Sequence, residues 1–225
     1  KTYRLGEIIP LSESVPMLEN FGFRVIEEVP YDLADGELGW IHDFKLEATV
    51  PAEELDPFCR VVNPARDAGL TGTQENDACN ALIPACGLSA EEANWLRAFY
   101  RYLRQTGVSF TIYTVVDALA KAPALTRALI ALFTARHDPD FGPADAREAA
   151  MRDAHETIRR GLANVKAIND DRLLRLYQSL IGAILRTNAF APAAAEALAF
   201  KIDSKLVPGL PKPVPWREIV VDSRQ

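Results

Sequence analysis

SAEEANWLRAFYRYLRQTGVSF, Ser89–Phe110, is the stretch whose reading decides the fold. Ser89 is a strong helix N-cap, and Glu91 and Glu92 follow in the first turn, where Glu92 at the third position completes a capping box. Leu96, Phe99, Tyr100 and Leu103 then recur at helical spacing as an apolar stripe, with Arg97, Arg101 and Arg104 together on an adjacent face. Gly107 supplies the residue that ends the helix. Aromatics interleaved with arginines admit two readings. The arginines contact phosphate or carboxylate on a binding surface, or their stems cover apolar neighbours and their heads pair with acids on adjacent elements.

Charge weighs on that choice. The 225 residues carry a net charge of −6, which disfavours nucleic acid as the main partner, because phosphate contacts need a positive surface. The structural reading of Arg97, Arg101 and Arg104 is favoured accordingly. With 48% apolar and 25% charged residues, the chain has the balance of a soluble globular protein able to bury a core. No run approaches the roughly 18 apolar residues of a membrane span, and no signal peptide opens the chain, so a cytoplasmic setting is expected. Cys59, Cys79 and Cys86 form no CxxC pair and have no metal-like spacing to His42, His137 or His155. They read as small buried residues in a reducing compartment.

Outward from the central helix, the first fifty residues read as a small α+β unit. Thr2–Ile9 has strand character; Ser12 is placed to cap a helix through Asn20, with Pro16 in its first turn and Gly22 at its exit. Phe23–Val29 alternates Phe23, Val25 and Glu27 against Arg24, Ile26 and Glu28; Asp35-Gly36 marks a turn; Trp40, Ile41, Phe44 and Leu46 suggest a third strand with a register irregularity. The order β-α-β-β begins a ferredoxin-like or ACT-like unit, which one more helix and strand would close.

The middle of the chain is helical. Pro51–Cys59 is a short acidic start and Asn63–Thr73 a loop; Cys79, Leu82, Ile83 and Cys86 lie at helical spacing around Pro84. Helices are predicted over Phe110–Ala120, Ala124–Arg136 and Ala146–Lys166, with Asp138–Asp145 as a loop. The last helix is capped at Asn169-Asp170, carries Leu173, Leu174, Tyr177, Leu180, Ile181, Ile184 and Leu185 on its apolar band, and ends at Asn188. Arg186, Thr187 and Asn188 would fasten it to the next strand. The tail is strand, a crossing with Pro208, Pro211, Pro213 and Pro215 that must be extended, and a final strand at REIVV. The fold class is thus α+β, mainly helical: residues 1–50 ACT-like, 51–190 a helical bundle, 191–225 extended.

Chemistry is sparse. There is no GxGxxG after a strand, no GxxxxGK[ST] and no GxSxG. The carboxylate pairs Glu27-Glu28, Glu91-Glu92 and Asp170-Asp171 have plain explanations as strand edge, first turn and cap. Arg136, His137 and Asp138 form either a functional triplet or, as favoured, a solvated helix end.

Several segments together resemble the large bacterial NAD-specific glutamate dehydrogenases: PLSESVPMLENFGFRVIEEVPY, WIHDF, NDACNALIPACGLSAEEANWLRAFYRYLRQTGVSF, DDRLLRLYQSLIGAILRTNAF and LAFKID with LPKPVPWREIVV. They follow that family's order from about Leu11 to about Val221 and depart from it around Thr71–Ala78 and Ala191–Glu196. The resemblance implies a parent enzyme that oxidises glutamate to 2-oxoglutarate and ammonia with NAD, as a large oligomer. It sets this chain upstream of the catalytic part, as a window of a longer polypeptide. The family's glycine-rich substrate region with its catalytic lysine, and its nucleotide-binding domain, find no counterpart here. No catalytic, cofactor-binding or metal-ligating residue is therefore assigned, and the expected cofactor of the segment itself is none. The leading reading is a non-catalytic supporting or regulatory segment whose partners are the catalytic domain of the same polypeptide and further copies, not membrane or nucleic acid. The alternatives are an ACT-like module that binds an amino-acid effector, against which the Pro10–Glu13 loop lacks a glycine for close backbone approach, and a helical nucleic-acid-binding module.

Overall fold

The computed structural model describes residues 1–35, 37–47 and 75–223. The expected helix at Pro51–Cys59, the loop at Asn63–Thr73, Cys59, and Gly36 of the Asp35-Gly36 turn lie outside them. The fold is mixed α+β and mainly helical, as the sequence predicts, with seven α-helices and two small antiparallel sheets among the described residues. It divides into two compact units, Lys1–Pro84 and Ala85–Gln225.

In the first unit, β1 (Thr2–Arg4) and β2 (Arg24–Leu33) flank β3 (Gly39–Glu47), each antiparallel to it. With α1 (Leu11–Asn20) joining β1 to β2, this is a split β-α-β followed by a hairpin. β1 is shorter than the predicted Thr2–Ile9, because Gly6 takes a φ of 87° and turns the chain away. Gly39, with φ 99°, lets β3 approach β1: a Cβ there would run into the backbone of Arg4.

The entry of α1 corrects the predicted cap. Pro10, in extended conformation, is the N-cap, and its carbonyl accepts from the N–H groups of Glu13 and Ser14 at 3.0 and 3.1 Å. Ser12 therefore lies inside the first turn, and Pro16 sits in the helix interior. The exit is as expected. Gly22 has φ 85°, and Phe23 N–H reaches back to Leu18 O while Gly22 N–H reaches Glu19 O, closing a Schellman motif. Met17, Leu18 and Phe21 are buried.

The register irregularity falls in β2. Val25 pairs with Leu46 and Glu27 with Lys45, which leaves Ile26 as an extra residue. The strict alternation predicted for Phe23–Val29 breaks there, and Glu28 rather than Glu27 turns inward.

Near the end of this unit Asp77 caps a 3₁₀ turn, Ala78–Ala81, by accepting from Cys79 N–H at 2.9 Å; the helical spacing of Asp77–Cys86, expected to break or bend at Pro84, changes character at Leu82 instead. α2 (Leu82–Cys86) follows. Cys79, Leu82, Ile83 and Cys86 are all buried, as their spacing requires.

The second unit packs helices against one face of a sheet. α3 (Ala90–Gln105) opens on the predicted capping box: Glu92 N–H donates to Ser89 Oγ at 3.1 Å, and Ser89 N–H to Glu92 Oε2 at 2.7 Å. It closes at Gly107, φ 92°, with Val108 N–H bonded to Leu103 O. α4 (Ile112–Ala120) begins at Thr111, whose hydroxyl accepts from Thr114 N–H. α5 (Pro123–His137) starts with Pro123 in its first turn, where a missing N–H costs nothing. α6 (Ala144–Asn164) packs along α5, and Gly161 seats itself directly on Leu125.

α7 (Ile168–Ala183) differs from prediction at both ends. Its N-cap is Ala167, so Asn169 and Asp170 stand in the first turn. It stops at Ala183, because Ile184–Thr187 is a strand, β4, paired with β5 (Ala197–Ile202). The carbonyls at the helix end are claimed from outside it: Asp203 N–H donates to Ala183 O at 2.9 Å, and Arg136 Nη2 to Gly182 O at 3.1 Å. β6 (Glu218–Ser223) pairs with the other edge of β5 after the proline-rich crossing. Asp203 and Arg217, at the two ends of that crossing, form a 2.8 Å ion pair.

The core of this unit is an aromatic cluster. Trp95 and Phe99 of α3 meet Phe133 of α5 at ring separations of 5.0 and 5.3 Å, Phe200 of β5 lies 5.3 Å from Phe99, and Tyr177 of α7 donates to Leu96 O. The buried face of the sheet carries Ile184, Leu198, Phe200 and Ile202.

Candidate functional site at the junction of α3 and β6

The arginine face of α3 does not form one surface. Arg97 is fully buried and donates to Asn94 Oδ1 at 2.9 Å, so the expectation of three surface arginines fails at its first member. A helix so deeply packed buries more than its apolar stripe, and the chain accepts a guanidinium inside because its donors are satisfied. Arg101 extends to β6, where one Nη1 lies 3.1 Å and 3.3 Å from the two carboxylate oxygens of Asp222. Arg104 is exposed in the last turn. Pairing with acids of a neighbouring element, the structural reading, describes Arg101.

Beside that ion pair, Tyr102 O–H donates to Glu218 Oε2 at 2.8 Å, and Ser204 Oγ donates to the same oxygen at 2.8 Å. Burial, then the hydrogen bond and charge of Glu218, hold the Tyr102 phenol well above the ordinary tyrosine range. It remains a neutral donor. Alternation places Glu218, Val220 and Asp222 on the α3 side of β6, and Ile219, Val221 and Ser223 on the other. A cleft of about 450 Å³ opens here, lined by Tyr102, Gln105 and Thr106, by Pro211, Pro213 and Pro215, and by four consecutive residues of β6.

Sequence reasoning missed Tyr102, Ser204, Glu218 and Asp222. Their contacts span 14 to 121 positions, which no local pattern reports. The alternation in REIVVDS was the available signal that one face of β6 carries acids inward.

The remaining titratable groups have separate settings. In the first unit, Ile9 N–H donates to His42 Nε2 at 3.1 Å, so that nitrogen carries no proton; Nδ1–H then donates to Glu28 Oε1 at 2.7 Å. His42 is neutral, and Glu28 is its acceptor rather than a strand-edge carboxylate. In the second unit, His137 is not a solvated helix end. Its ring packs 5.1 Å from Phe133, and burial, followed by the charges of Arg136 and Arg147, lowers it to about 4. The triplet does not assemble: Arg136 serves backbone carbonyls, and Asp138 accepts from Asp140 N–H. Asp171 pairs with Arg175, and Glu91 and Glu92 stay in the first turn of α3. Among the described residues no group of three or more His, Cys, Asp or Glu is placed to hold a metal ion, and no helix is long and apolar enough to cross a membrane.

The resemblance read from the sequence is found by comparison with known proteins. Three family profiles match in chain order: the glutamate dehydrogenase ACT3 domain over residues 1–57, glutamate dehydrogenase helical motif 3 over residues 74–139, and the bacterial NAD-glutamate dehydrogenase catalytic domain over residues 157–225. The last reaches further back than the sequence reading placed the catalytic part, taking in the end of α6, α7 and all three strands of the second sheet. The chain is 38% identical to the NAD-specific glutamate dehydrogenase of Halomonas elongata, 36% to that of Pseudomonas aeruginosa and 34% to that of Mycobacterium tuberculosis. These alignments cover 99%, 99% and 97% of the chain but 14% of each relative.

Proposed function

Since the chain belongs to the large bacterial NAD-specific glutamate dehydrogenase family, we propose that it is a non-catalytic supporting and regulatory segment of such an enzyme. The parent reaction is the oxidation of L-glutamate by NAD and water to 2-oxoglutarate, ammonia and NADH, in a cytoplasmic oligomer. The chain contributes neither a catalytic residue nor a nucleotide site. Its partners are the remainder of the catalytic domain in the same polypeptide and further copies of that polypeptide. Residues 1–50 serve as the ACT-like part, 51–190 as the helical part and 191–225 as the link toward the chemistry.

The junction of α3 and β6 carries this reading. α3 lies in the stretch similar to helical motif 3 and β6 in the stretch similar to the catalytic domain. Arg101–Asp222 and Tyr102–Glu218 tie the two together. Such a tie positions a scaffold and transfers no proton to a substrate. The 225-residue chain should produce no NADH from glutamate and NAD, and clear turnover would sink the proposal. In the full-length polypeptide, Asp222→Ala should lower kcat while leaving the KM for NAD unchanged, as loss of support does.

Effector binding by the ACT-like part is the second reading. Ile9 N–H, the loop amide before α1 that a ligand carboxylate would seek, is already taken by His42. Calorimetric titration with a panel of amino acids should therefore be silent; heat of binding that vanishes in His42→Ala would favour the effector role instead.

A further inference from the structure

We propose that His42 is a proton-operated latch on the loop that leads into α1. The loop runs from Gly6, whose φ of 87° turns the chain out of β1, to Pro10, the N-cap of α1. Between them Ile9 is tied to β3: its N–H donates to His42 Nε2 at 3.1 Å, and its side chain is buried. The imidazole is only 1% exposed, so neither ring nitrogen has solvent to turn to when a partner is lost. Imidazole is also the ordinary side chain that changes charge between about pH 5 and 8.

The two ring nitrogens answer a proton differently. Nδ1–H donates to Glu28 Oε1 at 2.7 Å whether the ring is neutral or charged, and the carboxylate favours the charged form. Nε2 accepts in the neutral ring and becomes a donor in the imidazolium. Ile9 N–H then faces a second N–H with no lone pair to receive it. Proton uptake therefore keeps the Glu28 contact and breaks the Ile9 one, loosening the entry to α1 while the strands stay paired. The surroundings leave Glu28 as the charged partner of the ring among the described residues. Thr2 of β1 and Pro30 of β2 lie opposite His42 in the register, and Phe44 stacks on it with ring centres 6.2 Å apart. Lys1 pairs with Asp43, which alternation sets on the other face of the sheet, and Glu13 and Glu19 of α1 are exposed.

The test is amide hydrogen exchange of the 225-residue chain, followed by NMR from about pH 8 to about pH 5. Nitrogen shifts of His42 should report Nδ1–H and a bare Nε2 at the upper end, and protons on both at the lower. As the second proton arrives, the protection factor of Ile9 N–H should fall about tenfold, the loss of one hydrogen bond. That of Leu18, in the body of α1, should hold. Glu28→Gln keeps an oxygen acceptor for Nδ1–H and removes its charge, so the same loss should come at lower pH. The proposal is overturned if Ile9 stays protected once both nitrogens of His42 carry protons, or if Ile9 and Leu18 lose protection together, as in general unfolding. It is overturned as well if His42 stays neutral over the whole range, or if Glu28→Gln leaves the transition where it was.

Discussion

Tyr102 on α3 and Glu218 on β6 meet through a 2.8 Å hydrogen bond that spans 116 positions of sequence. The phenol is buried, so its donor has no water to fall back on. Tyr102→Phe keeps the ring and removes the donor, leaving Glu218 with Ser204 alone. Stability should fall by about 1–2 kcal/mol with the far-ultraviolet dichroism unchanged. Urea titrations of the two chains measure the difference, and coincident curves would show that the contact is energetically idle.

His137 makes stability depend on pH. Folding lowers it from an ordinary 6.5 to about 4, so between those values the unfolded chain binds the extra proton. Stability contributed by neutral His137 is therefore complete above pH 6.5, declines as pH falls toward 4 and levels off below. Partial exposure limits the effect to about 2 kcal/mol at most. His137→Gln should flatten this part of the profile when urea midpoints are compared at pH 7.5, 5.5 and 4.5, which run from above the unfolded value to just above the folded one.

Cys86 should resist alkylation. Burial pushes its thiol up to about 11, and its Sγ faces Leu119 O at 3.7 Å. Since the thiolate is the reactive form, little is present at neutral pH. Peptide mapping after iodoacetamide at pH 7.5 should find Cys86 unmodified in the folded chain and fully modified in urea. Rapid modification without denaturant would mean that α2 opens readily.

Gly161 is a packing glycine. A Cβ there would lie 2.9 Å from both Cβ and Cδ1 of Leu125, which is itself buried in α5. Gly161→Ala gains about 1 kcal/mol of helix propensity but overpacks the α5–α6 contact by about 1–3 kcal/mol. The net expectation is a loss of about 1 kcal/mol, read as a lower melting temperature. A stabilised variant would show that the two helices separate at no cost.

Features held by neighbours in sequence were legible. The Ser89–Glu92 box, the glycine exits at Gly22 and Gly107, and the buried spacing of Cys79, Leu82, Ile83 and Cys86 all stand where the residues put them. Caps whose position depends on how the chain arrives were not: Ser12 and Asn169-Asp170 are good capping residues, yet Pro10 and Ala167 hold the boundary. A capping side chain satisfies one N–H, worth about 1 kcal/mol, and the packing of the apolar face outweighs it in choosing where a helix starts.

The sequence by itself determined the helical core, the split β-α-β opening and the absence of a dinucleotide fingerprint, because periodicity, turn residues and motifs are local. The tertiary structure decided the rest. It ended α7 at Ala183 by giving Ile184–Thr187 a strand partner and the last carbonyls outside donors. It buried Arg97, sent Arg101 to Asp222, turned Glu28 toward His42 through one extra residue at Ile26, and desolvated His137. Each of these outcomes depends on groups brought together from distant positions. The free energy of a charge or an unpaired backbone group is set by what surrounds it in space, which the order of residues does not state.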